Sequence, residues 1–155
     1  GEMIRDIGHA YHHVFDERGI HVQMDVPSEP VVVSADRNRL VRVFRNLADN
    51  VARYTPHEGN VIFRVEPGPE TIRICYQNPA EGLTASDLPY LFERFYRGEK
   101  SRSRQHGGAG IGLAIVKELI EAHQGTVDAE LQEDHLYICV ELPRKSHQKD
   151  GRPAV

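Results

Sequence analysis

The chain has 155 residues, 39% of them hydrophobic and 27% charged, which supports one domain with its own core and no need of staples. Its formal charge of −4 gives no reason to expect a nucleic-acid partner, and no apolar run reaches membrane-spanning length or a signal-peptide pattern. The two cysteines, Cys75 and Cys139, each lie in a strand-like apolar segment and read as buried thiols in a reducing compartment rather than a disulfide framework.

Along the chain, Ile4, Ile7, Tyr11 and Phe15 recur at helical spacing, predicting a helix over 4–18 with Gly19 as its stop. His9, His12 and His13 fall on this helix and read as exposed residues; the chain opens within a helical pattern, as an excised domain does. Alternation predicts a strand over 20–26, and Val31 to Val33 a second, short one. Asp36 is a good N-cap for a helix running to Tyr54 and halted by Pro56. Residues 61–65 and 71–76 read as paired strands across the turn-forming P-G-P-E at 67–70. A short helix is predicted over 87–95, followed by a polar run carrying Arg97, Lys100, Arg102 and Arg104. The glycine-rich loop from Gly107 then opens a helix with Ile111, Ile115, Leu119 and Ala122 as its predicted buried stripe and Gly125 as its cap. Residues 126–131 and 136–142 close a hairpin across Glu133 and Asp134, and 144–155 reads as a disordered tail behind a domain spanning 1–143. Strands joined partly by hairpins and partly by helices predict an α+β fold, a two-layer sandwich of a mixed sheet with helices on one face.

Two stretches carry chemistry. A glycine-rich loop running into a helix presents free N–H groups and the positive end of the helix dipole, an anion site suited to phosphate. Gly108, Gly110 and Gly112 let the backbone approach a ligand without a Cβ in the way; the same loop also reads as an ordinary flexible connection. A dinucleotide fingerprint requires a hydrophobic strand directly before the glycines, and the polar run 97–106 is none; no Lys-Ser or Lys-Thr follows, so the Walker pattern fails too. On the long helix, Leu40, Phe44, Leu47 and Val51 form the buried stripe, while Asn46, Asn50, Arg53 and Tyr54 share another face. Asparagine is a poor helix-interior residue, so two of them one turn apart suggest a task, against the alternative of a merely solvated polar face.

N-L-A-D-N-V-A-R-Y-T at 46–55 resembles the N box of sensor histidine kinases, L-F-E-R-F-Y-R at 91–97 their F box and the start of the ATP lid, and G-A-G-I-G-L-A-I at 108–115 their second glycine box. With D-R-N-R-L at 36–40 opening the long helix, the order and spacing also match, and the resemblance covers about 4–143. The chain is thereby identified as similar to the catalytic ATP-binding domain of a bacterial two-component sensor kinase, a fold shared with gyrase, MutL and the heat-shock chaperone ATPases.

The resemblance implies ATP and Mg²⁺ as ligands. Asn50 would coordinate the Mg²⁺ that bridges the phosphates, Asn46 would support it, Arg53 would reach the phosphates, and Tyr54 would pack against the adenine pocket. Gly108, Gly110, Gly112 and the adjoining Leu113 would form the lid hinge and phosphate contact, with Arg97 and Lys100 as candidates for the γ-phosphate. Phe92 and Phe95 resemble the F-box pair, with core packing an equal reading for Phe92. Where the related ATPases carry a water-activating Glu, this chain has Asn46, and an amide is no base at neutral pH, so ATP would be held for transfer rather than hydrolysed.

One box departs from the pattern. The family's D-x-G-x-G is here N-P-A-E-G at 78–82: Gly82 is kept, Asn78 stands for the Asp and Ala80 for the first glycine. Asn78 still accepts a bond from the adenine amino group but without charge assistance, a loss of about 1 kcal/mol, so Asn78→Asp is expected to tighten binding. None of the nine histidines sits in the family's phosphoacceptor setting. The implied role is therefore transfer of the γ-phosphoryl of ATP to a His on a dimerisation domain of the parent protein, followed by phosphorelay to a response regulator. The domain itself is expected to be monomeric and cytoplasmic, without membrane contact, beneath a membrane-embedded sensor. The alternatives are a degenerate regulatory module of the same fold, or an anti-sigma-type serine kinase, against which the F-box sequence speaks.

Overall fold

The computed structural model describes residues 2–93 and 112–144. Amphipathic spacing at the start produces not one helix but two, α1 (Glu2–Ala10) and α2 (His12–Glu17), with Tyr11 at the junction. The α-type hydrogen bonds Tyr11 N–H to Ile7 C=O and Phe15 N–H to Tyr11 C=O, both 3.0 Å, carry the chain across it. Ile4, Ile7 and Phe15 are buried and His9, His12 and His13 exposed, as their spacing predicts. Gly19 stops the run at φ +64°, a conformation glycine adopts without strain.

Strand β1 (His21–Asp25) follows. The predicted strand at 31–33 reduces to a single bridge from Val33 to Arg144; among the described residues the segment, with Pro30 before it, pairs nowhere else. The Asp36 side chain accepts the Arg39 N–H at 3.0 Å and caps α3 (Arg37–Tyr54), which ends at Thr55 just before Pro56. Arg18 donates to the carbonyls of Ala52 and Thr55, the latter at 2.9 Å, satisfying the C-terminal turn of α3 from the end of α2.

Strands β2 (Asn60–Pro67) and β3 (Thr71–Pro79) pair antiparallel, and a 3-10 helix (Ala85–Tyr90) comes next. It begins and ends earlier than the predicted helix over 87–95, because Thr84 and Asp87 form a reciprocal capping box upstream. Helix α4 (Gly112–Ala122) leads into the hairpin β4 (Thr126–Gln132) and β5 (His135–Pro143), whose turn places Glu133 at φ 46° and Asp134 at φ 62°. The sheet order is β1-β2-β3-β5-β4, parallel only between β1 and β2, so it is mixed as expected.

The inner sheet face buries Val61, Ile72, Ile74, Tyr76, Ile138, Val140 and Leu142 against α3 and α4. Leu40, Phe44, Leu47 and Val51 form the α3 stripe as predicted. The α4 stripe is rotated from the prediction: Leu113, Ala114, Val116 and Ile120 are buried, Ile115 and Leu119 half-buried and Ala122 exposed. An apolar-rich helix offers more than one stripe, and the seat between α3 and the sheet selects among them. Its cap is also shifted. Gln124 takes the left-handed position at φ 58°, and the bonds Gly125 N–H to Ile120 C=O (2.9 Å) and Gln124 N–H to Glu121 C=O (3.0 Å) make a Schellman motif. Gly125 is needed for close approach instead, since a Cβ there would meet the Glu141 carbonyl and the Ile120 side chain.

The reading of the cysteines is corrected. Cys75 and Cys139 are half-buried, lie directly opposite each other in β3 and β5 with Cα atoms 4.1 Å apart, and are joined in a disulfide. Each sits between inward-facing neighbours, and strand alternation turns both to the outer face, which apolar sequence context does not reveal. Arg144, assigned to the tail, is held by bonds to the Glu70 and Gly68 carbonyls at 2.7 and 2.8 Å; 145–155 lie outside the described residues.

Candidate functional site

The polar face of α3 meets the inward face of β3 near the ends of both elements. Asn46, Asn50 and Tyr54 are half-buried along this face, and Arg53 is exposed one turn beyond Asn50. The Asn50 amide nitrogen donates to the Tyr76 hydroxyl at 2.7 Å, which commits the nitrogen to the protein and leaves the oxygen for other partners. Burial pushes the Tyr76 hydroxyl well above the ordinary tyrosine range, outweighing the opposite effect of the Asn50 bond, so it remains neutral.

Two residues further along β3, on the same face, Asn78 is fully buried. Its amide nitrogen donates to Thr55 Oγ1 and to the Pro79 carbonyl, both at 3.2 Å. Among the described residues, Asn78 Oδ1 is the one buried side-chain nitrogen or oxygen with no hydrogen-bond partner. Such an atom suits a ligand N–H donor. The bond to the Pro79 carbonyl is one a carboxylate could not reproduce, whereas the Thr55 hydroxyl can donate to a carboxylate, so the gain expected from Asn78→Asp is opposed by the loss of the Pro79 bond.

After β3 the chain turns at Gly82, whose φ of +81° requires glycine. Ala80, in place of the first glycine, is buried and not in a left-handed conformation, so its Cβ introduces no backbone strain. Across the site, a Cβ placed on Gly112 would lie 3.9 Å from Asn46 Oδ1. The first residue of α4 and the first asparagine of α3 therefore share one surface, and the free N–H groups of a helix's first turn lie at that end. Leu113 is buried beneath and anchors the helix start rather than lining the surface.

The neighbouring Asp49 faces away from this surface, accepting the Tyr11 hydroxyl at 2.7 Å. Burial and then this bond push the Tyr11 hydroxyl up to about 12. Phe92 is half-buried and packed against the core, in line with its packing reading. Arg97, Lys100, Gly108 and Gly110, with Phe95, Arg102, Arg104 and Ile111, lie outside the described residues. Residues 35–146 match the model of the histidine kinase-, DNA gyrase B- and HSP90-like ATPases.

The chain belongs to that ATPase family.

Within it, the chain is 39% identical over 142 residues to the signal transduction histidine-protein kinase BaeS of Escherichia coli, covering 91% of this chain and 30% of that protein. It is 31% identical to the sensor histidine kinase WalK of Bacillus subtilis, covering 86% of this chain and 22% of that one. The chain thus spans under a third of these relatives. Among solved structures, the mycobacterial sensor histidine kinase MprB superposes with a TM-score of 0.76 at 28% identity over 90% of this chain and 93% of that one. The nucleotide-free catalytic domain of the histidine kinase ThkA reaches 0.81 over 94% of each chain at 23% identity, a likeness of fold. Asn46 lies beside Gly112, Asn50 bonds Tyr76, and Asn78 follows Tyr76 by two residues on the same face of β3. Thr55 and Tyr76 were not singled out from sequence; the signal for Tyr76 was its position two residues before Asn78, on the same strand face.

Proposed function

We propose that the chain is the ATP-binding catalytic domain of a sensor histidine kinase, supplying the γ-phosphoryl of Mg-ATP to a histidine on another domain of its parent protein. The observation that carries the reading is the buried, unpaired Asn78 Oδ1 beside the asparagine-bearing face of α3, within a domain similar throughout to sensor kinases. Asn78 Oδ1 would accept the adenine amino group. Asn50 would offer its amide oxygen to Mg²⁺, a hard donor for a hard ion, its nitrogen being occupied by Tyr76. Among the described residues no three His, Cys, Asp or Glu side chains cluster, so protein ligation of the ion would rest on Asn50. Mg²⁺, when bound, neutralises phosphate charge. Arg53 on α3, with Arg97 and Lys100, would add cationic stabilisation, and the start of α4 with Gly108, Gly110 and Gly112 would donate backbone N–H groups to the phosphates. Asn46, having no basicity, would leave bound ATP unhydrolysed.

The partners that follow are the phosphoacceptor domain and a response regulator; ThkA has been solved in complex with the response regulator TrrA, and ShkA with AMPPNP. Among the described residues no helix is long and apolar enough to cross a membrane, and the membrane sensor of the proposed parent would lie elsewhere in its sequence. The test is calorimetric titration of the chain with a non-hydrolysable ATP analogue, with and without Mg²⁺. Saturable binding that strengthens with Mg²⁺ is expected. No binding at millimolar nucleotide by the folded chain would overturn the reading in favour of a degenerate module.

A further inference from the structure

The outer face of the sheet, opposite the one that packs on α3 and α4, carries Cys75 from β3 and Cys139 from β5. Both are half-buried, while the residues on either side of them, Ile74 and Tyr76, Ile138 and Val140, are buried in the core. Sulfurs on such a face are within reach of reagents in solution, and exposed disulfides are the labile kind. The bond is also not what brings these strands together. β3 and β5 pair from Thr71 with Pro143 to Pro79 with His135, and β2 and β4 continue the ladder on either side. Register therefore keeps the two sulfurs opposed whether or not they are joined, so closing the bond is an intramolecular step that needs no strand rearrangement.

The two sulfurs differ in their surroundings. The Arg73 guanidinium, two residues before Cys75 on the same face, donates from Nη2 to Cys139 Sγ at 3.5 Å. Arg64 lies in register with Cys75 but is paired with Asp25 at 3.4 Å. Acidic groups share the face: Asp128 is in register with Cys139, and Glu66 and Glu141 with Arg73. Of the two sulfurs it is Cys139 that a cation touches, and a cation at a sulfur favours its thiolate, the form that attacks and the form that leaves.

We propose that Cys75 and Cys139 form a reversible redox modification site on the outer sheet face, oxidised by hydroperoxides and reopened by small thiols, with Cys139 the attacking sulfur, Cys75 the resolving one and Arg73 positioning Cys139. In the oxidising direction the Cys139 thiolate attacks the terminal oxygen of the hydroperoxide. The S–O bond forms, the O–O bond breaks, and the alkoxide or hydroxide that leaves takes a proton from solvent. Cys75 then attacks the sulfenic sulfur; the S–S bond forms and the hydroxyl departs as water with the Cys75 proton. The pair loses two electrons and the peroxide gains them. In the reducing direction a small thiolate attacks Cys75 Sγ and Cys139 leaves as thiolate beside Arg73. A second small thiolate then releases Cys75 and carries away the two-electron oxidation as its own disulfide. This chemistry requires no nucleotide, so it stands or falls apart from the kinase reading.

The experiment reduces the 155-residue chain with dithiothreitol, removes the reductant and adds hydrogen peroxide, following free thiols and intact mass with the fold checked by circular dichroism. The expected result is loss of both thiols together with a mass lower by two hydrogens, about tenfold faster in the folded chain than in urea. Thiols that react no faster when folded than when unfolded would overturn the proposal. The oxidised, folded chain is then given glutathione, which is expected to reopen the bond under native conditions. A bond that opens only once urea has unfolded the chain would make it a sealed staple and overturn the proposal as well. For the order of attack, Cys75→Ser is expected to accumulate a sulfenic acid on Cys139 that dimedone captures, and Cys139→Ser to give about tenfold less capture on Cys75. Equal capture would overturn the assignment of Cys139. Arg73→Met is expected to slow oxidation about tenfold and Arg73→Lys, which keeps the charge, to restore most of the rate; an unchanged rate in Arg73→Met would remove Arg73 from the site. The peroxide and glutathione reactions of the unaltered chain decide the question should a variant not fold.

Discussion

The Asn50 amide nitrogen donates to the buried Tyr76 hydroxyl at 2.7 Å, tying the polar face of α3 to the middle of the sheet. A side chain proposed to ligate a metal is thus oriented by one that cannot reach it, a common arrangement around metal sites. Tyr76→Phe keeps the ring packing against Phe63 and removes only the hydroxyl. The expected result is a loss of about 1 kcal/mol in urea unfolding and a nucleotide affinity whose enhancement by Mg²⁺ falls by about tenfold, with metal-free binding little changed. Equal losses with and without Mg²⁺ would assign Tyr76 a packing role only.

Arg18 joins the end of α2 to the last turn of α3 through the Ala52 and Thr55 carbonyls. Arg18→Met preserves the aliphatic stem and leaves both carbonyls without their charged donor. A destabilisation of about 1–3 kcal/mol is expected in denaturant titration. Thr55 also accepts the Asn78 amide, so a parallel fall in ATP affinity would show that the cap supports the site as well as the fold.

Tyr11 links the N-terminal helices to Asp49 of α3, and its hydroxyl is raised from 10.0 to about 12, chiefly by burial. Because the folded chain holds this proton more tightly than the unfolded one, the associated stability is fully present below pH 10 and is lost as the pH rises towards 12. Tyr76, raised in the same direction, adds to the fall at higher pH. Tyr11→Phe is expected to flatten the decline of the unfolding free energy across that interval. An unchanged slope would remove Tyr11 as its source.

The Cys75–Cys139 disulfide closes a loop across a sequence separation of 64, for which the chain-entropy model assigns about 4 kcal/mol. Reduction is expected to lower the unfolding free energy from urea titration by up to that amount. Nucleotide affinity below the transition is expected to stay constant, since both cysteines lie on the sheet face opposite Tyr76 and Asn78. A loss of affinity on reduction, with the fold intact, would show that the strand pairing itself positions Asn78.

Much of this protein was legible in local pattern. The stripe of Leu40, Phe44, Leu47 and Val51, the Asp36 cap, the Pro56 stop and the hairpin across Glu133 and Asp134 all follow from periodicity and capping chemistry that operate within a few residues. The spacing of Asn46 and Asn50 likewise sets both on one face of α3, and Gly82 takes the positive φ that its turn requires, because each of these rests on local geometry. Tertiary structure alone decided which arc of α4 is buried, since α3 and the sheet choose among several apolar faces of that helix. It also decided that Cys75 meets Cys139, because antiparallel register joins positions that the sequence keeps far apart. The partners of the asparagine amides belong to the same class: Tyr76 and Thr55 reach Asn50 and Asn78 only once α3 lies across β3, and that packing determines which end of each amide the protein occupies.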